Sequence, residues 1–90
     1  METTMTKEVN EIQTIMRAFK DASEMVEKYM KLDTKLIRTG VYESLVEVKH
    51  SLHYQVIDMI MDANLDKREE DRFFKSLEQI RKNPWSVSFN

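Results

Sequence analysis

Residues 41–63 read VYESLVEVKHSLHYQVIDMIMDA, and how much of that segment is apolar decides the architecture. Leu45, Val48, Leu52, Val56, Met59, Ile60 and Ala63 fall at helical spacing and make one face. Val46, Tyr54, Ile57 and Met61 lie outside it, on a second apolar arc. Only Ser44, Glu47, Ser51, Gln55, Asp58 and Asp62 make a coherent polar strip. A helix apolar over more than half its circumference is buried on more than one side. One helix before it and a short one after it leave part of that surface unshielded. The sequence therefore predicts a homodimer, with Val46, Tyr54, Ile57 and Met61 at the interface.

Upstream, Val9, Ile12, Met16, Phe19, Val26, Met30 and Ile37 recur at steps of three, four or seven, again one helical face. Thr6 offers an N-cap, and Gly40 is placed for the left-handed residue that closes a helix. This periodicity predicts one rod from Thr6 to Arg38, about 50 Å long at 1.5 Å per residue. A compact chain of this length has a radius of gyration of only about 12 Å, so such a rod makes the molecule elongated. Asp33 provides the alternative. It sits on the apolar stripe and can N-cap a fresh turn over 34–38, breaking the helix.

Downstream, Asn64-Leu65 marks a turn and Lys67 to Lys82 a third helix. Asp66 followed by Glu69 matches a capping box with Asp as the cap. Phe73, Phe74, Leu77 and Ile80 form a narrow apolar stripe among charged neighbours, and Asn83-Pro84 stops the helix because proline disfavours helix in the residue before it. Trp85, Val87 and Phe89 then alternate with Ser86 and Ser88, the period of an extended strand. Residues 1–84 are thus expected as one helical domain and 85–90 as an extended tail. That tail either folds back over the third helix or docks in a partner groove. The expected fold is all-α: an antiparallel helical hairpin with a third, shorter helix, in a dimeric bundle.

Size makes self-association attractive. A 90-residue chain buries only roughly two-thirds of its unfolded surface, and with no cysteine disulfides cannot staple it. Charged residues make up 33% of the chain yet leave a net charge of -2. The pI near 5.7 lacks the basic signature of a nucleic-acid binder. No apolar run approaches the roughly 18 residues of a membrane span. The first residues lack the basic start and apolar core of a signal peptide, so a cytoplasmic location is expected.

Chemistry-bearing patterns are sparse. Glu47, His50 and His53 have metal-ligand side chains, but a di-iron type site needs further carboxylates on facing helices, and Glu24 and Glu27 fall on the polar side of theirs. The two histidines read as packing residues. One glycine in the whole chain excludes a glycine-rich phosphate loop, and no serine has a nucleophile-elbow context. No catalytic, cofactor-binding or metal-ligating residue is assigned, and no cofactor is expected. Lys67, Arg68, Arg72, Lys75, Arg81 and Lys82 interleave with Asp66, Glu69, Glu70, Asp71 and Glu78, the mixture of a solvated face.

These features predict a small non-catalytic adaptor or regulatory, inhibitory protein that binds a larger protein, of bacterial or phage type by size. Met25, Tyr29 and Leu36, with Trp85, Val87 and Phe89 of the tail, are the expected partner contacts. The competing class is a nucleic-acid-associated helical dimer, which requires the basic residues to converge in three dimensions.

Overall fold

The computed structural model describes residues 3–87. Three helices carry it: α1 (Thr3–Met30), α2 (Thr39–Asp62) and α3 (Lys67–Lys82), with 3₁₀ turns at Thr34–Leu36 and Pro84–Ser86. Among the described residues there is no strand, and the protein is all-α. Its principal extents are 55 × 22 × 18 Å with a radius of gyration of 14.9 Å. A compact chain of this length would reach about 12 Å.

The first helix stops earlier than the rod the periodicity predicts. After Met30 the chain tightens, with Lys31 N–H donating to the Lys28 carbonyl and Leu32 N–H to that of Tyr29. Asp33, extended at φ -55° and ψ 136°, accepts from the Lys35 N–H and starts the 3₁₀ turn. The hydroxyl of Tyr29 takes the Arg38 N–H at 2.7 Å and clasps the connection to the end of α1. The unbroken rod from Thr6 to Arg38 is therefore corrected to a helix, a capped turn and a second helix. An apolar residue at the right spacing, Ile37, does not extend a helix when Asp33 offers a competing local hydrogen bond.

Gly40 is a second correction. It stands inside the first turn of α2, and the left-handed position belongs to Asn64, at φ 57°. Asparagine tolerates that conformation because its short polar side chain bonds locally. A Cβ built on Gly40 meets no atom within 4 Å. Gly40→Ala is therefore expected to raise unfolding free energy by about 0.5–1 kcal/mol, by restricting the unfolded chain and favouring helix. Urea titration with an unchanged slope but a higher midpoint would show it. A lower midpoint would mean that the glycine adopts another conformation.

The core lies toward one end. Ile12, Met16 and Phe19 of α1 meet Val56, Ile60 and Ala63 of α2 and Phe73, Leu77 and Ile80 of α3, all buried. Val9, Leu52, Ile57, Met59, Leu65 and Phe74 pack partly buried around them. Asp66 caps α3 by accepting the Glu69 N–H at 2.9 Å, and Arg81 and Lys82 in the last turn complement its dipole. Ser23 is buried with α1's apolar stripe, and its hydroxyl finds no hydrogen-bond partner.

The tail differs from a wholly extended one. Trp85 and Ser86 belong to a 3₁₀ turn whose first N–H bond is made to the Asn83 side chain. That turn packs against both α1 and α3. Pro84 is buried and Val87 rests on the core, so this part folds back. Proline preset for the turn and an asparagine cap outweigh two-residue alternation over so short a span. Phe89 lies outside the described residues.

Candidate functional site

Two surfaces stand out, and each follows from how far α3 reaches. α3 spans 16 residues, about 24 Å, against 28 in α1 and 24 in α2. It and the turn after it cover only part of the longer helices. Beyond that cover, residues in core register lose their shield. Met30 continues the stripe of Phe19, Ser23 and Val26 at helical spacing, yet it is 56% exposed. Leu32, Leu36, Val41 and Val48 are also exposed, as are Met25 on the flank of α1 and Trp85. Most of the large exposed apolar side chains of the described chain thus belong to residues 25–48.

The expected contact residues are distributed over this region unevenly. Met25 and Leu36 present more than half of their surface. Tyr29 is half-buried, with its hydroxyl committed to Arg38. Trp85 is 45% exposed and lies under the Lys31 ammonium, 5.3 Å from the ring centroid, a contact worth about 0.5–1 kcal/mol at an exposed site. Val87 faces the core instead. Sequence reasoning missed Met30, which it placed on the apolar stripe of the first helix, and gave Leu32 and Val41 no contact role. On the other side of α2, Tyr54 and Met61 are 66% and 63% exposed, and Val46 and Ile57 are half-buried.

The second surface is a hollow of about 300 Å³ between the middle of α2 and the end of α3. Phe19 forms its base. Lys49, His50, His53 and Tyr54 come from α2, and Glu78, Arg81 and Lys82 from α3. Convergence of the two basic groups is a consequence of the turn at Asn64, which sends α3 back along α2. The His53 ring lies 5.4 Å from that of Phe19 and 5.5 Å from that of Tyr54. Burial holds the His53 pKa below its ordinary 6.5, and the charges of Arg81, His50 and Lys49 push the same way against Glu78. The unfolded chain therefore binds a proton at His53 more readily than the folded one. On this group's account stability is full above about pH 6.5 and declines as pH falls below it.

Toward the other end a smaller hollow of about 160 Å³ is lined by Glu8, Glu11 and Asp62 with Ile12, Met59 and Ala63. Among the described residues, no group of three or more His, Cys, Asp or Glu side chains is arranged to hold a metal ion. No helix among them is long and apolar enough to cross a membrane. No family model, curated protein or solved structure matches the chain.

Proposed function

We propose that this protein is a non-catalytic adaptor or regulator that binds a larger protein through the apolar surface at the open end of α1 and α2. One observation carries the reading: Met30, in core register, is left more than half exposed together with Leu32, Leu36 and Val41. Exposed apolar patches mark interaction sites, and flexible methionine side chains suit adaptable binding. An inhibitory role, a cytoplasmic setting and a bacterial or phage source belong to the same reading.

The arrangement behind it is an antiparallel hairpin. Ile12 shares a hollow with Met59 and Ala63, Phe19 meets His53, and Tyr29 bonds to Arg38, so later residues of α1 meet earlier ones of α2. Two copies associate through Val46, Tyr54, Ile57 and Met61, leaving the open end free for the partner.

The test compares wild type with Met30→Asp/Leu36→Asp in affinity capture from the native host. Both side chains are exposed, so melting temperature is expected to stay within a few degrees. A protein retained by wild type and lost from the equally stable variant supports the reading; equal retention by both removes this surface from it. A second reading, a nucleic-acid-associated dimer, draws support from the meeting of Lys49, Arg81 and Lys82 in one hollow. Retention on nucleic acid with a steep salt dependence would favour it.

A further inference from the structure

We propose that the hollow between α2 and α3 is a binding site for a phosphate-type oxyanion, held by Lys49, His53, Arg81 and Lys82. This inference goes beyond protein docking at the open end and does not depend on it. The lining brings three permanent cations, two imidazoles and one carboxylate to a single concavity of about 300 Å³. Three cations against one carboxylate leave an excess of two positive charges, on a chain whose net charge is -2.

Helix chemistry alone explains only part of this. Arg81 and Lys82 in the last turn of α3 complement the helix dipole wherever α3 lies. Lys49, His50 and His53 belong to a different helix, and their approach to that turn has no such explanation. Glu78, the one acidic lining group, already engages Arg81 at 3.2 Å. Guanidinium has five N–H donors, so that pair leaves donors for a second oxyanion. Buried Phe19 supplies an apolar floor, and Tyr54 completes the lining. The volume suits a phosphate or pyrophosphate group rather than a larger cofactor.

Such a site is linked to pH. From α1 the group facing His53 is Phe19; from α2 they are Lys49, His50 and Tyr54; from α3, Glu78, Arg81 and Lys82. A bound oxyanion offsets the cations that disfavour imidazolium, so binding takes up a proton and strengthens as pH falls.

Amide chemical shifts of the full chain, titrated with sodium pyrophosphate at fixed ionic strength, test the site. The expected result is saturable one-to-one binding that shifts residues 49–54 and 78–82. Lys49→Gln/Lys82→Gln should weaken it about tenfold or more, as loss of two charge-assisted contacts implies, without lowering the melting temperature. Sulfate, whose charge does not change in this range, should bind about threefold or more tightly near pH 5.5 than near pH 7.5, and His53→Gln should reduce that difference. A short single-stranded oligonucleotide identifies the source. Displacement of pyrophosphate from the same residues, with a steep salt slope, assigns the phosphate to a nucleic-acid backbone; failure to displace assigns it to a free small anion. Non-saturable shifts, shifts elsewhere, equal affinity in the double variant or a pH-independent sulfate affinity would each overturn the proposal.

Discussion

Phe19→Ala is expected to lower unfolding free energy by about 3–5 kcal/mol, the usual range for emptying a buried phenylalanine site. Phe19 is 1% exposed and belongs to the cluster that joins all three helices. It also supports the His53 ring at 5.4 Å. A domain of this length has about 5–13 kcal/mol in total, so one substitution removes a large fraction of it. With a melting shift of about 4–8 °C per kcal/mol for small domains, the transition should fall by more than about 12 °C, or vanish at ordinary temperature. Leu36→Ala, at a residue 60% exposed, is the companion measurement and should stay within about 0.5 kcal/mol of wild type. Melting both at the same protein concentration matters, since association makes stability concentration-dependent. Equal melting of the two variants would mean that the three-helix core is not built around Phe19.

The sequence puts Phe19 on the apolar stripe and Leu36 among the surface contacts, and the pattern misleads at Met30 instead. Ile12, Met16, Phe19 and Val26 keep a strict helical step, as do Phe73, Leu77 and Ile80, and all seven are buried. Such a pattern encodes which face turns inward. It does not encode where the opposing helix ends, so Met30 reads as core although it is exposed. The end of α1 was ambiguous for a related reason: Ile37 continues the spacing, while the break that Asp33 offered rests on one aspartate side chain and one tyrosine hydroxyl. Gly40 read only as a left-handed helix stop, yet it lies within the first turn of α2. Asn64 took the left-handed position at the next turn.

The basic hollow was invisible for a topological reason. His50 and His53 read as packing residues, and Arg81 and Lys82 as part of a solvated face. Each reading was sound for its own helix. Only the reversal at Asn64 brings residues 49–54 to residues 78–82, nearly thirty positions on. Separation of that kind leaves no periodic signal along the chain. A return helix of known length, counted back from the turn, would have placed the last turn of α3 near the middle of α2.

Tyr54→Glu/Met61→Glu is expected to abolish the proposed self-association. The two residues lie seven apart, two turns along one side of α2, and are 66% and 63% exposed. Val46 and Ile57, half-buried, continue the strip. Total accessible surface is 6559 Å², about 1,000 Å² above the roughly 5,500 Å² of a compact monomer of this mass. A standard interface removes about 800 Å² from each partner, so the elongated chain carries surplus surface of the size that one dimer contact would bury. In a two-fold dimer each substituted position occurs twice, and four unpaired carboxylates would enter the interface. Several kcal/mol per buried unpaired charge weakens association by more than about 100-fold. Val48→Glu provides the discriminating control: Val48 is 52% exposed but lies about 120° round the helix from Tyr54, so it should leave the dimer intact. Sedimentation velocity over a wide concentration range reads all three proteins. A wild-type chain that sediments as a monomer throughout removes the dimer, and dissociation by Val48→Glu but not by the double variant moves the contact to the face that the open-end surface occupies.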